Sequence, residues 1–345
     1  MNYKILHEFP AGQSEAAWRD LMKRLEFPSH YNAPEYFLEP FWDGKRPFSI
    51  LALDGDRANA VLTGIHEREH VICGLEARPQ IAVDPNTDTV AALDALLQGL
   101  TEEAGQAKLL TVFTWSSLGL PLFAARGFSC RQLSGNVVLD LTRGADALFQ
   151  QFSKDRRRNI RFAEKHGITV RLAEDKQDIV HAYDLYLRWR GTQRKKVKGE
   201  CRTFENFESA HRLVKNRRLF LAELAGQLIA INIFRFYPGG LFESAGNCSL
   251  DEFLHLKPND LLQWKGIEWA CSHGLRRHSL GGSHLFLTRF GGTVVPVLRY
   301  RLDRTLIRKH DLQEMIADRA RKTFRKMPPL VQERVRLALG KKKQY

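Results

Sequence analysis

The feature that most constrains this chain is an order of elements that occurs twice. In the first half, "PFSILALDGDRANAVLTGIHEREHVICG" reads as three antiparallel strands, turning at Asp54-Gly55-Asp56 and again near Glu67–Glu69. A helix follows in "TDTVAALDALLQGLTEEAG", opened by Thr87 or Asp88 and closed by Gly105. Then come a strand ("KLLTVFTW"), a short helix ("LGLPLFAARGF") and a strand ("GNVVLDL"). In the second half, "FLAELAGQLIAINIFRFYPGGLFESAGNC" again gives three strands, turning at Ala225-Gly226 and Pro238-Gly239-Gly240. "KPNDLLQWKGIEWACSHG" gives the helix, with Asn259 or Asp260 at its start. "RRHSLGG", "SHLFLTRFGG" and "TVVPVLRYRL" give strand, short helix and last strand. Both halves set an aromatic beside a glycine after the short helix, Gly127-Phe128 and Phe290-Gly291. Two copies of one α/β unit explain this order. A helix over "SEAAWRDLMKRL" precedes the first copy.

Charge divides the chain unevenly. Residues 1–145 hold 13 Lys/Arg and 18 Asp/Glu, whereas residues 276–345 hold 18 and 5. After Asp303 the sequence is basic and helical. Leu312, Met315, Ile316, Ala320 and Phe324 share one face before Pro328-Pro329, and a Lys run closes the chain. Such an end suits packing on the second unit, an anionic membrane surface or nucleic acid. The five cysteines are scattered without a C-x-x-C, which argues for free thiols in a reducing cytoplasm. The N-terminus lacks a signal-peptide apolar region, and no apolar run is long enough to span a bilayer.

The patterns of P-loop, dinucleotide-binding, zinc-protease and α/β-hydrolase sites are all missing. Enzymes that work by positioning are not excluded. The segment "FSKDRRRNIRFAEKHGITV" carries six basic residues against two acids. On a helical wheel Lys154, Arg158, Arg161 and Lys165 form a stripe, with Arg156, Ile160 and Ala163 opposite. Arg157 and Arg161 add a like-charge pair at i,i+4. This is either a solvated face or a seat for phosphate groups. A second basic run, "RWRGTQRKKVKGECR", reads as a surface loop or a substrate-covering loop.

The runs "SKDRRRNIRFAEKHGITVR", "GQLIAINIFRFYPGGLFESAGN", "LKPNDLLQWKGIEWACSHGLRRHSLGG" and "LTRFGG" resemble the FemAB-type and CelD/BcsL-like acyltransferases of the GNAT superfamily, over roughly Leu139 to Leu302. The resemblance implies two tandem GNAT-like domains of mixed α/β class. We set them at 1–145 and 146–303, followed by a basic helical extension at 304–345. It also implies acyl transfer from acyl-CoA or aminoacyl-tRNA to an amine or hydroxyl, typically of a cell-envelope or polysaccharide precursor. No resident cofactor or metal is expected. A non-catalytic module using its basic end is the reading from another class. The superfamily's pyrophosphate motif, [RQ]-x-x-G-x-[GA], is missing from both halves, which leaves the donor's seat open.

Acyl transfer needs a deprotonated acceptor and a stabilised oxyanion. Glu243 is either a general base or a structural carboxylate. Ser244 and Asn247 either bind substrate or bond along a strand end. Arg157, Arg158, Arg161, Lys257, Asn259, Gly282 and Arg289 are the expected donor-binding residues. Asn259 has a helix cap as its alternative role, and Arg289 a surface ion pair. Trp264 and Trp269 read as core or as a ligand platform. The acyltransferase reading predicts one cleft lined by Arg158, Arg161, Glu243, Asn247 and Arg289.

Overall fold

The alternating runs between residues 46 and 73 build the expected meander. β2 (Arg46–Asp54), β3 (Arg57–Glu67) and β4 (His70–Cys73) pair antiparallel in sequence order. The computed structural model describes residues 1–39, 44–74, 81–115, 119–192, 207–208, 216–328, 331–332 and 334. Around the meander lie β1 (Asn2–Leu6), β5 (Ile81–Val83), β6 (Leu109–Thr114) and β7 (Ser129–Gln132). The helices of this half are α1 (Gly12–Arg24), α2 (Thr89–Ala104) and α3 (Leu120–Ala125). Asp88 caps α2, accepting hydrogen bonds from the amides of Val90 and Ala91.

The second half holds β8 (Asn136–Asp140), α4 (Ala145–Gln151), α5 (Lys154–Lys165), β9 (Ile168–Leu172) and α6 (Lys176–Thr192). These are followed by β10 (Arg217–Leu224), β11 (Gln227–Phe236), β12 (Leu241–Ser249) and α7 (Pro258–Ser272). Then come β13 (Arg277–Ser279), α8 (Leu285–Thr288), β14 (Thr293–Val295), β15 (Leu298–Asp303) and α9 (Lys309–Lys326). Most of the second basic run, 188–202, lies outside the described residues. Trp189 lies in the last turn of α6 and packs with Tyr186.

Each unit contains one mixed sheet, and the sheets exchange strands. The first runs β1-β2-β3-β4-β6-β15-β7, with β5 also on β3; the second runs β14-β8-β13-β12-β11-β10-β9. β15, from the end of the second half, therefore lies inside the first sheet between β6 and β7. β8, from before residue 145, lies inside the second between β13 and β14. The run "TVVPVLRYRL" is two strands in two different sheets, separated at Pro296, because proline cannot donate to a ladder. Sheet membership thus crosses the sequence boundary at 145/146 in both directions.

Both sheets bury both faces. α2 covers one face of the first sheet with Leu93, Leu96 and Leu100 against Ile50, Leu62 and Val112. α1 covers the other with Trp18, Leu21 and Met22 against Leu51 and Val61. In the second sheet α5 and α7 bring Ile160, Ala163, Leu261 and Ile267 onto Phe234 and Phe242. α6 brings Ile179, Ala182 and Leu185 onto Leu219, Leu221 and Ile231 on the opposite face.

Below α6 that face is closed by the segment after α1. The Leu241 amide donates to Pro28 O at 2.8 Å. A Cβ on Gly240 would stand 2.1 Å from the same oxygen, so only glycine allows this approach. Beside it, Glu39 Oε1 accepts from Arg235 Nε at 2.9 Å and Arg217 Nη2 at 3.2 Å, and lies 2.7 Å from His30 Nε2. His30, Arg217 and Arg235 are each buried. Burial alone would raise the Glu39 carboxyl, but Arg235, His30 and Arg217 outweigh it and hold it well below the usual carboxylate range. Burial pushes His30 down, against the pull of Glu39.

A second buried polar chain lies between α7 and the second sheet. Asn232 Nδ2 donates to Gln263 Oε1 at 3.4 Å, and Gln263 Nε2 lies 2.6 Å from His278 Nε2. The other ring nitrogen, Nδ1, is 2.8 Å from Phe242 O and donates to it. The imidazole is therefore neutral, and burial pushes its pKa down to about 4 from 6.5.

This sets a pH dependence. The unfolded chain protonates His278 near 6.5, whereas the folded chain resists until about 4. The stability from keeping it neutral is complete above the unfolded value and is lost as pH falls through that window, about 3 kcal/mol in all. His30 acts in the same direction, and Glu39 adds a loss at lower pH still. Melting curves of the wild type are expected to fall from pH 6.5 to 4, with a shallower fall in His278→Asn. Equal slopes in the two proteins would refute the assignment.

Candidate active site

The second sheet opens where its parallel pair ends. β12 and β13 pair only at Leu241–Arg277, Phe242–His278 and Glu243–Ser279. Gly281, with φ at +84°, then turns the chain past Ser244, whose carbonyl is 3.7 Å from where a Cβ on Gly281 would lie. From there the backbone bonds to β8: Leu280 N donates to Val137 O at 3.0 Å, and Val137 N to Gly282 O at 2.8 Å. β12 continues beside β11, through Asn232–Asn247, Ile231–Cys248 and Ala230–Ser249. The parallel pairing of β12 with β13 thus ends at Glu243. Ser244 Oγ, at the apex of this wedge, is buried and makes no hydrogen bond.

A β-bulge decides which side chains meet in the wedge. The β11–β12 register shifts between Ile233 and Phe234, so that Ala245 is the extra residue. The parity of the strand changes there, and Glu243 and Asn247 point to opposite faces. Asn247 Nδ2 donates to Asn259 Oδ1 at 3.4 Å, on the α7 side, and Ser249 Oγ donates to the same oxygen at 2.5 Å. Glu243 points the other way, is fully buried, and lies opposite Arg235 on β11. It reaches no open cleft.

The start of α7 differs from the expected cap. Its cap position is Lys257, at φ +64°, with Pro258 first in the helix; Asn259 and Asp260 fall in the first turn. Asp260 is buried in an ion pair with Arg156 of α5 and also receives Asn159 Nδ2 at 3.5 Å. Burial raises the Asp260 carboxyl against the pull of Arg156. The Arg156 guanidinium lies 4.1 Å over the Phe286 ring of α8, and Ser153 N donates to Arg289 O at 2.9 Å. The starts of α5 and α7 and the end of α8 are therefore fastened together. Lys257, Asn259 and Arg289 sit around this junction.

The stripe on α5 is divided. Ser153 caps the helix as expected, accepting from the Arg156 amide. Arg158 is exposed and pairs with Asp155 at 3.0 Å. Arg157 Nη1 donates to Gln150 Oε1 at 2.9 Å. Arg161 lies 5.5 Å over Phe149 and borders a small cavity of about 190 Å³ with Glu164 and Trp264. Arg158, Arg161, Glu243, Asn247 and Arg289 thus do not line one cleft: Glu243 is inside the fold and Arg158 faces water. Gly282 lies on the β8 side of the wedge. Trp264 is buried against Phe149 and Phe152, as a core residue.

The sequence reading passed over Arg156, Arg217, Arg235 and Glu39. Arg156 had a visible signal, since it shares the wheel face of Ile160 and Ala163, and a charge on a buried face needs a buried partner. Arg217 and Arg235 alternate in phase with Leu219, Leu221 and Ile233 on buried strand faces. Their partner, Glu39, is more than 170 residues away in the chain, and no local pattern points to it.

The first unit has a corresponding opening. β4 and β6 run parallel over His70–Cys73 and Leu109–Val112, after which β5 stays on β3. A cavity of about 370 Å³ lies there, lined by Ile81, Val83, Thr114, Trp115 and Phe123 among others. Among the described residues no cluster of His, Cys, Asp and Glu could hold a metal, and no helix is long and apolar enough to cross a membrane.

Residues 150–289 match the model of the GNAT acetyltransferase domain. No curated protein matches the chain by sequence. Among solved structures it is similar to FemX, at 14% identity and TM-score 0.64, over 91% of this chain and 99% of that one. It is similar to the C-terminal domain of a protein described as a lysylphosphatidylglycerol synthetase from Agrobacterium fabrum, at 13% identity and TM-score 0.59, over 88% and 96%. A tandem GNAT protein from the clavulanic acid biosynthesis pathway matches at 13% and 0.56, over 88% and 99%. The two mixed sheets and these likenesses agree on the fold: the chain has a FemX-like tandem GNAT fold, and residues 150–289 match the GNAT acetyltransferase domain.

Proposed function

We propose that the chain is an acyltransferase whose donor lies in the wedge between β12 and β13, and that the acyl group passes from acyl-CoA to an amine or hydroxyl of a cell-envelope or polysaccharide precursor. One observation carries this reading. Past Glu243 the β13 strand leaves β12, and at the apex of the opening lies Ser244 Oγ, a buried hydroxyl without a partner. Buried polar groups are normally satisfied, so an open one at a wedge mouth suits a ligand carbonyl or hydroxyl. The opening beside β12 suits an extended donor arm laid along the strand. Asn247 and Asn259 offer further amide groups. Lys257, Arg289, Arg157, Arg158 and Arg161 give the surrounding surface a positive sign that draws in a polyanion. Glu243 serves in this reading as the buried countercharge of Arg235 rather than as the base. Residues 146–303, completed by β8, form the proposed catalytic unit.

An aminoacyl-tRNA donor is the second reading. It is favoured by the first turn of α7, where Pro258 and the buried Asp260 occupy the place at which helix amides would hold a pyrophosphate. Turnover assays with acyl-CoAs and with aminoacyl-tRNAs separate the two. In either case Ser244→Ala is expected to lower kcat/KM about tenfold without lowering the melting temperature, since it removes a hydroxyl that bonds to nothing in the protein. Unchanged turnover would remove Ser244 from the site.

The extension after residue 303 is proposed as a peripheral membrane contact. α9 docks on the first unit through its acids: Glu314 accepts from Arg299 and Arg301, each at 2.5 Å, and pairs with Arg131, while Asp318 pairs with Arg131 at 2.7 Å. Leu306, Ile307, Met315 and Ile316 are left exposed among basic residues. Exposed apolar side chains in a basic setting suit an anionic bilayer surface. A protein described as a lysylphosphatidylglycerol synthetase shares the fold, which accords with acceptors at a lipid surface. Vesicles rich in phosphatidylglycerol are expected to carry the protein in flotation, and Ile307→Glu with Ile316→Glu to abolish this. Equal flotation of wild type and double variant would refute it.

A further inference from the structure

At the seam between the two units, away from the β12–β13 wedge, lies a cavity of about 430 Å³ that the proposed reaction does not use. Its walls come from α1, the segment 25–35, the β11–β12 hairpin and the start of β13. Leu241, beside it, lies about 10 Å from Ser244 along β12.

Several polar atoms in this cavity are unspent. Asn216 is 2% exposed, yet neither Oδ1 nor Nδ2 has a hydrogen-bond partner. Glu35 accepts Arg19 Nη1 at 2.9 Å on Oε1, while its Oε2 is buried and unpaired. Arg276 is exposed and its side chain makes no ion pair among the described residues; Lys23 reaches only Asp20, at 4.0 Å. Arg19 is also held by Glu15, at 2.8 Å from its Nε, so Arg19, Lys23 and Arg276 against Glu35 and Glu15 leave an excess of one positive charge, carried on the side of Arg276 and Lys23. The amide of Asn216 and the free oxygen of Glu35 add two donor hydrogens and two acceptor oxygens. Buried polar atoms left without partners in a roomy, cationic cavity call for a ligand that supplies both charge and hydroxyls.

We propose that this cavity binds a phosphorylated polyol of the sugar-phosphate class. The phosphate dianion lies among Arg276, Lys23 and Arg19, where guanidinium groups give paired hydrogen bonds. The hydroxyls reach Asn216 and Glu35 Oε2. A ligand held there contacts both units and tightens the seam.

Titration calorimetry on the full chain tests this with three probes: glucose 6-phosphate, glucose and inorganic phosphate. Glucose 6-phosphate is expected to bind, inorganic phosphate to bind more weakly, and glucose to give no heat. Arg276→Ala is expected to weaken glucose 6-phosphate at least about tenfold. Asn216→Ala, which breaks no bond in the free protein, is expected to lower the affinity for glucose 6-phosphate and leave that for inorganic phosphate unchanged. No heat with glucose 6-phosphate would overturn the proposal, as would equal affinities in the wild type, Arg276→Ala and Lys23→Ala. Turnover at the wedge does not enter any of these readouts, so the two readings stand or fall separately.

Discussion

The buried carboxylate of Glu39 is the interaction on which the arrangement of the two units depends. It brings a segment of the first unit under the second sheet and is a shared countercharge for Arg217 and Arg235. Removing one member of such a group leaves an uncompensated charge, which typically costs about 3–5 kcal/mol. The close contact of Gly240 with Pro28 works beside it and tolerates no side chain. Together they fix the base of β11 and β12, and so the point from which β12 runs up to the wedge.

The exchanged strands add a second tie. β15 and β8 each sit between two strands of the other unit's sheet, so neither sheet is complete without chain from the opposite half. An interior strand satisfies hydrogen bonds on both edges, and its loss would expose two edges at once. The wedge inherits this rigidity. β13 is held by β8 on one side and by a three-residue parallel pairing on the other. Its departure from β12 is therefore a fixed opening, set by Gly281 and the β8 bonds, rather than a fray.

Much of this architecture was legible in the sequence, because it rests on local patterns. The doubled order of elements, the Asp88 and Ser153 caps and the glycine turns are short-range signals, and the folded chain keeps them. The site was harder to read. Glu243 and Asn247 lie four residues apart on one strand and would share a face, but the bulge at Ala245 separates them, and nothing in "LFESAGN" marks a bulge. The α5 stripe was visible as composition. That Arg156 would be the inward residue, tied to Asp260 104 residues later, follows from the apolar face it shares. Strand exchange could not be read at all, since "GNVVLDL" and "VLRYRL" have the same pattern in either sheet.

The central claim is that the opening where β13 leaves β12 receives the donor. Amide hydrogen exchange measured residue by residue, with and without a donor that supports turnover, tests it most directly. The account predicts slowed exchange across Ser244–Ser249 when the donor binds, with little change in β2 and β3. A donor that supports turnover yet leaves the exchange of that stretch unaltered would contradict it.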